Sequence, residues 1–184
     1  MTKDPTNSRD PDGGDGTRVP ILRREAERPR WTKPPQVAVV YSAENWAQVE
    51  PLVNDLRYEL TERYHFSPFS IKITQAESVH DIPQYITTLH QRSDIVFALG
   101  VVFRSAPVFE QRLVDLTTRR IGDISVPNRP AVFDCILVRD DPAHLADHLA
   151  ALAAKPPAAG CTTMAAVWAR RAVDTYTMLG RTIH

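Results

Sequence analysis

The chain contains few residues of several kinds, and each shortage excludes a class of protein. Its 184 residues include only 7 glycines and 2 cysteines. Cys135 and Cys161 are too few for a disulfide framework, and Cys135 stands in an apolar run typical of a small buried hydrophobe. The sequence has no phosphate loop, no dinucleotide fingerprint and no metal-ligand spacing. We therefore expect no nucleotide loop, no metal site and no bound cofactor.

Charge of one sign and long hydrophobic runs are also lacking. Lys and Arg together number 22, as do Asp and Glu, so the formal net charge is zero. This balance argues against a nucleic-acid or membrane-surface partner. No apolar run approaches the roughly 18 residues of a membrane-spanning helix. The first residues carry acids early and have no apolar stretch typical of a secretory signal. A cytoplasmic protein is expected.

The chain divides into an extension and one domain. Residues 1–35 are rich in Pro, Gly, Asp and Arg and lack apolar periodicity, which predicts a flexible N-terminal extension. Its one apolar run, Val19–Leu22, is a candidate to pair with a sheet edge, in this subunit or a neighbouring one. Residues 36–184 alternate between strand-like and helix-like patterns and are numerous enough to bury a core.

Strand and helix patterns alternate through this domain. Short apolar runs predict four strands, at Val37–Tyr41, Phe69–Thr74, Asp94–Phe103 and Ala131–Val138. Apolar residues at helical spacing predict five helices, at Trp46–Tyr64, Ile82–Gln91, Pro107–Ile124, Pro142–Ala154 and Thr162–Leu179. Strands joined by helical crossovers run parallel, with helices on both faces of the sheet. The fold class expected is α/β, a flavodoxin-like three-layer αβα sandwich with a four-stranded parallel sheet.

The most informative segment is Asp94–Glu110, which reads DIVFALGVVFRSAPVFE. A buried parallel strand here delivers a polar loop at its carboxyl end, where open α/β sheets bind ligands. The order of residues resembles the signature of lumazine synthases, the penultimate enzymes of riboflavin synthesis. In that family the strand reads A-L-G-x-V-I-R-G, and T-P-H-F-[DE] follows a short loop. The matching positions are Ala98, Leu99, Gly100, Val102, Arg104, Pro107, Phe109 and Glu110.

The resemblance implies a binding site built from three strand ends, the first of which follows Tyr41. There the family carries R-F-N, whose aromatic ring packs on the pyrimidine substrate. This chain keeps the amide as Asn45, has Glu44 at the aromatic position, and carries Trp46 one step later. Trp46 is a candidate stacking face for a ligand, and the alternative is a core or interface residue at a helix start.

The second strand end corresponds to the family's P-G-[AS]-[FWY]-E-[IL]-P, whose contacts hold the ribityl chain. Residues 77–83 align with it, which makes Ser78, Val79 and Asp81 candidate substrate-binding residues. His80 occupies the aromatic slot. Asp81 also has a structural explanation as a helix cap, and the two roles are compatible.

The third strand end departs most from the family. Val108 stands where the family has its proton-transfer histidine, and the loop is about one residue shorter. His80 is the candidate catalytic replacement, since adjacent strand ends converge on one crevice. Arg104 is a candidate anion anchor or, alternatively, a surface salt-bridge partner. The other substrate-binding candidates that the resemblance implies are Ser105, Phe109 and His148. In the penultimate helix the family has a basic residue that pairs with the substrate phosphate, and either His148 or Asp147 falls at that place here.

Three functional hypotheses follow. The first is a diverged lumazine-synthase-like homo-oligomer with altered or lost condensation activity, binding a lumazine-like or flavin-like heteroaromatic ligand or serving as an assembly. The second is an active 6,7-dimethyl-8-ribityllumazine synthase that condenses 5-amino-6-ribitylaminouracil with 3,4-dihydroxy-2-butanone 4-phosphate. The third is an unrelated flavodoxin-like binding module. The resemblance implies a pentamer or a multiple of it, up to the 60-subunit shells some members form.

Overall fold

The computed structural model describes residues 34–104, 108–125, 130–153 and 163–178, leaving aside the side chains at 90, 108–111, 125 and 148–153. Within these ranges four strands form one parallel sheet in the order β2-β1-β3-β4. The strands are β1 (Val37–Ser42), β2 (Ile71–Ala76), β3 (Ile95–Phe103) and β4 (Ala131–Arg139). The helices are α1 (Trp46–Tyr58), α2 (Ile82–Leu89), α3 (Val108–Ser125), α4 (Pro142–Ala153) and α5 (Met164–Tyr176).

Helices cover both faces of the sheet, which confirms the α/β three-layer sandwich of flavodoxin-like type. On one face, side chains of α1, α4 and α5 pack against Phe97 and Leu99 of β3. On the opposite face, α2 and α3 pack against the small residues Ala38 and Ala98. We call these the α1/α5 face and the α2/α3 face. Because side chains alternate along a strand, odd-numbered residues of β1 and β3 point to the first and even-numbered ones to the second.

The centre of the sheet explains why the β3 segment is so apolar. β3 lies between β1 and β4 and is covered by helices on both faces. All residues from Ile95 to Val101 are therefore buried. A strand buried on both faces reads as a continuous apolar run. β2 lies at the sheet edge instead, and three of its six residues are exposed.

The predicted second strand, Phe69–Thr74, is wrong by two residues at each end. The strand runs from Ile71 to Ala76, because Pro68–Ser70 form a 3₁₀ turn first. Both the backbone N–H and the hydroxyl of Ser70 donate to the Ser67 carbonyl, at 2.9 and 2.7 Å. This turn leaves Phe69 fully exposed, whereas the alternating pattern had placed it in the sheet.

Two predicted helices end earlier than their patterns suggested. The first, predicted over Trp46–Tyr64, is α-helical only to Tyr58 and continues as a π-helical turn over Glu59–Arg63. The Thr61 hydroxyl donates to the Arg57 carbonyl at this junction, the kind of competing bond that loosens a regular helix. The second ends at Leu89 and tightens into a 3₁₀ turn. The remaining element bounds agree with prediction within three residues.

Candidate functional site

The carboxyl edge of the sheet is stepped, and the step holds the loops that carry the predicted site. β1 and β2 end together, with Ser42 opposite Ala76. β1 pairs with β3 only as far as Tyr41 opposite Leu99, whereas β3 and β4 remain paired to Phe103 and Arg139. The loops after β1 and β2 therefore lie beside the last residues of β3, at the crevice where open α/β sheets bind ligands.

Asn45 fastens the first loop to β3. Its backbone is left-handed, with φ of 53°, a conformation that asparagine tolerates better than most residues. Its side-chain amide donates to the Val101 carbonyl at 2.8 Å, across the step. Its own carbonyl accepts the N–H groups of Gln48 and Val49 in the first turn of α1. Asn45 thus sets the position where α1 begins. Asn45 is also a predicted ligand contact, and one N–H of its side-chain amide is already bonded to β3.

Glu44 links the first loop, which follows β1, to the second loop, which follows β2. The sequence had indicated only that Glu44 stands at a position where an aromatic residue was expected. Glu44 Oε2 accepts the backbone N–H of Val79 at 3.1 Å and lies 3.4 Å from the hydroxyl of Ser42. The Ser42 hydroxyl in turn accepts the Glu44 N–H at 3.1 Å, and Ser42 is completely buried. A serine whose hydroxyl accepts the backbone N–H two residues later is typical of a turn. The serine at position 42, two residues before Glu44, is therefore the signal from which this turn could have been predicted. The Glu44 carboxylate is thus held where two loops meet.

The second loop forms a helix cap of its own. Ser78 is the N-cap of the 3₁₀ turn Val79–Asp81, and its hydroxyl accepts the His80 N–H at 3.1 Å. Asp81 Oδ2 accepts the Ser78 backbone N–H at 3.1 Å and the Ser78 hydroxyl at 3.0 Å. This reciprocal pair is a capping box in which Ser78 is the N-cap. Asp81 was expected to be the cap itself, and it instead accepts the N-cap N–H from the third position of the turn. Ser78 and Asp81 therefore satisfy each other.

Val79 fits into β3 rather than into the crevice. Its side chain is completely buried, and a Cβ added at Gly100 would lie 2.8 Å from Val79 Cγ2. Real Cβ atoms do not approach so closely, so the absence of a side chain at position 100 lets the second loop descend onto β3. The backbone of Val79 is engaged as well, since its N–H meets Glu44 and its carbonyl accepts the Ile82 N–H.

His80 is partly exposed and contacts α3 through one ring nitrogen. Its Nδ1 lies 3.1 Å from the hydroxyl of Thr117, which is 3% exposed. The Thr117 hydroxyl donates to the Leu113 carbonyl at 2.8 Å, one helical turn back. The structure thus brings His80 of the second loop against α3, the helix that begins at Val108.

Arg104 lies at the end of β3 beside the end of β4. Its Nη1 is 3.1 Å from Asp140 Oδ1, and both side chains are more than 60% exposed. Its backbone N–H donates to the Arg139 carbonyl at 2.7 Å, continuing the strand pairing by one bond. The alternative of a surface salt bridge is confirmed, so an anion at this position would compete with the Asp140 carboxylate.

Asp141, next along this loop, caps α4. Its Oδ1 accepts the His144 N–H at 2.8 Å, and its Oδ2 lies 3.2 Å from His144 Nδ1. The backbone N–H of His144 is the main reason that the pKa of the Asp141 carboxyl lies below its ordinary value. Asp141 is therefore an ionised helix cap at neutral pH.

Trp46 begins α1 and packs against Tyr41 of β1. The two ring centroids are 5.0 Å apart with an interplanar angle of 37°, and Trp46 remains 40% exposed. The Tyr41 hydroxyl donates to Gln75 Oε1 at 2.9 Å, which fixes the ring against β2. One surface of the indole is thus in contact with a tyrosine, while a large part of the side chain faces solvent at the strand ends.

Four predicted site residues lie outside what the structure describes. Ser105 falls in an undescribed stretch, while Val108, Phe109 and His148 are described only as helical backbone. Their assignments stay predictions. Across the described side chains the loops after β1 and β2 converge through Glu44 and Val79, and Arg104 stands further along, at the end of β3.

A cavity of about 450 Å³ lies along the exposed side of α2 and includes Asp81 of the second loop; its lining residues are Glu77, Asp81, Gln84, Tyr85 and Thr88. In the described residues no group of three His, Cys, Asp or Glu side chains could hold a metal ion. Among the described helices none is both long and apolar enough to cross a membrane.

Comparisons with protein-family models and with curated proteins give no match for this chain. The functional argument therefore depends on the residues of the chain and on their arrangement at the strand ends. It offers a partly exposed indole, a partly exposed imidazole, and several carboxylates already bonded within the protein.

Proposed function

We propose that this protein is a diverged lumazine-synthase-like homo-oligomer that has lost the standard condensation and binds a heteroaromatic ligand at the carboxyl edge of its sheet. The proposal joins the resemblance in the β3 segment to the contacts at the strand ends. Its localisation is taken to be cytoplasmic, from the composition of the chain.

One observation carries the loss of activity: groups that would contact the substrates are already bonded to each other. In the second loop the N–H of Val79 is held by Glu44, and that of Ser78 by Asp81. At the third strand end, Arg104 is paired with Asp140. A backbone N–H has a single hydrogen, so the amides of Val79 and Ser78 must give up their carboxylate partners before they bind a substrate, at a cost of about 1 kcal/mol or more each. The exposed Arg104–Asp140 pair costs less to break.

The sequence changes point in the same direction. Val108 has no proton to transfer, although the condensation moves protons at each of its steps. The helix aligned with the family's phosphate-pairing base carries His148 and no arginine. A neutral or half-charged imidazole binds a phosphate dianion less well than a bidentate guanidinium. Proton transfer and phosphate recognition are thus both weakened.

Ligand binding is supported by what the same edge still exposes. Trp46, at the α1 side of the strand ends, offers an aromatic surface of the kind that stacks on a planar ring. His80, at the α2 side, offers a polar group. An apolar surface with a few placed polar groups is the usual composition of a small-molecule site.

The second candidate is an active lumazine synthase, and the position of His80 favours it. This imidazole lies against α3, the helix that begins with the residue replacing the family's histidine. Proximity of two reactive partners can carry much of a condensation, so a displaced imidazole could suffice.

An activity assay separates the two candidates. The purified protein is mixed with 5-amino-6-ribitylaminouracil and 3,4-dihydroxy-2-butanone 4-phosphate, and lumazine formation is followed by absorbance. We expect no rate above the spontaneous reaction. Turnover at the rate of an active family member, abolished by His80→Gln, would refute the diverged function and establish the second candidate.

Binding is tested with riboflavin through quenching of tryptophan fluorescence. Trp46→Phe should remove most of the quenching and weaken binding. Trp168→Phe is the matched control, because Trp168 is 8% exposed and belongs to the α1/α5 core. Equal quenching in wild type and Trp46→Phe would place any ligand elsewhere. Light scattering at micromolar concentration tests the assembly, and a monomeric mass would contradict the expected pentamer or multiple of it.

A further inference from the structure

Thr117 is a buried hydroxyl group in α3 that no part of the proposed function has used. It is one of three polar or charged residues described as buried, with Ser42 and Ser70. The hydroxyls of Ser42 and Ser70 serve the turns beside them, whereas that of Thr117 contacts a residue 37 positions away, His80. A polar side chain in a helix interior that reaches a partly exposed imidazole is a candidate for positioning it.

The distances around Thr117 determine which group donates. A hydroxyl has one hydrogen, and the 2.8 Å separation from the Leu113 carbonyl is typical of O–H···O. The 3.1 Å separation between Thr117 Oγ1 and His80 Nδ1 falls in the range of N–H···O. With its hydrogen directed to Leu113, the hydroxyl can only accept from the imidazole. Nδ1 must then carry the proton, and in the neutral ring Nε2 has the lone pair.

We infer that Thr117 is a positioning residue that holds neutral His80 as the Nδ1–H tautomer and so presents Nε2 as a hydrogen-bond acceptor for the ligand. The inference rests on the proposed function for the site it serves, and it names the ligand chemistry that site selects. A ligand recognised by Nε2 has to donate an N–H or O–H. The imide N–H of a lumazine or flavin ring meets this requirement, and a ring methylated at that nitrogen does not.

The backbone around His80 is held firmly enough for such a role. The His80 N–H donates to the Ser78 hydroxyl, and the preceding Val79 N–H donates to Glu44. Within the described part of the chain, His80 Nε2 has no protein partner, and the side chain is partly exposed. The ring is thus anchored on one nitrogen, while the other bonds to none of the described residues.

The tautomer is measured without any ligand, by nitrogen NMR of the imidazoles at a pH above which the ring-nitrogen resonances no longer change. The chain has 6 histidines, and the resonances of His80 are those missing in His80→Gln. We expect a protonated Nδ1 and an unprotonated Nε2 in the wild-type protein. A protonated Nε2 would overturn the inference, whatever the protein binds.

Two substitutions at position 117 separate positioning from packing. Thr117→Val keeps the shape but removes the acceptor, and the Nδ1–H signature of His80 should be lost. Thr117→Ser keeps the hydroxyl and should retain that signature. If Thr117→Val left the ring nitrogens unchanged, Thr117 would not select the tautomer. If both variants failed to fold, the wild-type tautomer would still decide the question.

The ligand class is tested with lumiflavin and 3-methyllumiflavin, which differ in the imide N–H. Lumiflavin should bind wild type roughly two- to tenfold more tightly than its methylated analogue, the effect of about one hydrogen bond. The preference should disappear in Thr117→Val and persist in Thr117→Ser. Equal binding of both compounds to wild type would refute recognition by Nε2. Binding of neither would refute the proposed heteroaromatic site, while the NMR result judges the role of Thr117 separately.

Discussion

The two faces of the sheet differ in what they bury. Among the described residues, the α1/α5 face buries more than twice as many apolar side chains as the α2/α3 face, including Phe97, Leu99 and Trp168. On the α2/α3 face the central strands carry Ala38, Ala98 and Gly100 instead. Large side chains contribute most of the transfer free energy of a core, so the first face provides more of the stability.

The same difference explains where the buried polar groups lie. Small residues on the α2/α3 face let α2 and its preceding turn approach the strands closely. Polar side chains of the neighbouring elements are buried at this contact. Ser42 and Thr117 are buried on this side, and the Thr74 hydroxyl is buried there with no partner among the described atoms. A hydroxyl without a partner costs about 1–3 kcal/mol. The α2/α3 face therefore buries polar groups at some cost in stability that the other face offsets.

The comparison is tested most severely by removing one of the two largest fully buried side chains of the α1/α5 face. Phe97 is completely buried and stacks on Phe133, with centroids 5.4 Å apart. Phe97→Ala should lower the free energy of unfolding by about 3–5 kcal/mol, measured by urea denaturation. Phe69→Ala, at a fully exposed position, should change it by less than about 0.5 kcal/mol. A loss below 1 kcal/mol at Phe97 would mean that the two faces contribute alike.

On the α2/α3 face the expected damage comes from added volume. Gly100→Ala places a methyl 2.8 Å from Val79 Cγ2, and a buried β-branched side chain cannot move aside easily. We expect a loss of about 1–3 kcal/mol in unfolding free energy. Because Val79→Ala removes the clashing methyl, the double variant should be less destabilised than the sum of the two single variants. Strict additivity would show that the contact is not the cause.

Glu44 tests the polar link between the two loops. Glu44→Ala should cost about 1 kcal/mol and speed hydrogen exchange at the Val79 amide, because that N–H loses its acceptor. Glu50→Ala, on the exposed side of α1, is the control and should leave both quantities unchanged. Unchanged protection of the Val79 amide in Glu44→Ala would mean that the carboxylate does not hold the second loop.

The last effect is absent at neutral pH, appears only at alkaline pH, and reports on the α1/α5 face. Burial raises the pKa of the Cys135 thiol well above its ordinary value of 9.0. The folded protein thus keeps a proton that the unfolded chain releases above pH 9, so the contribution is complete below that pH and declines above it. The decline is at most about 1.4 kcal/mol per pH unit. Cys135→Ala should lose less stability between pH 9 and 10 than wild type, and equal losses would contradict a buried protonated thiol.

Much of the fold could be predicted because it depends on local patterns. The uninterrupted apolar run of β3 predicts a doubly covered strand, and the helical spacing of Val49, Leu52 and Leu56 predicts the buried side of α1. The element bounds were less predictable where a local turn competes, as at Pro68–Ser70. There one side-chain hydrogen bond decides between strand and turn, and apolar alternation does not report it.

The site was less predictable than the fold, because its contacts join residues far apart in the chain. The sequence marked Asn45, His80 and Arg104 as polar residues at strand ends. It did not indicate that Glu44 bonds to Val79, 35 positions away, or that Thr117 contacts His80. Nor did it show that Arg104 meets Asp140. Such pairings depend on strand order and on the step between β1 and β3.

The sequence by itself determined the α/β class, the parallel sheet and the order of its elements, because hydrophobic periodicity acts over short distances and every strand is followed by a helix. Only the tertiary structure decided which face carries the large core and which polar groups are already satisfied. Those properties arise when Gly100 and Val79, or His80 and Thr117, are brought together by the packing of α2 and α3 on the sheet. Their partners are selected by geometry in three dimensions, which no local pattern in the chain records.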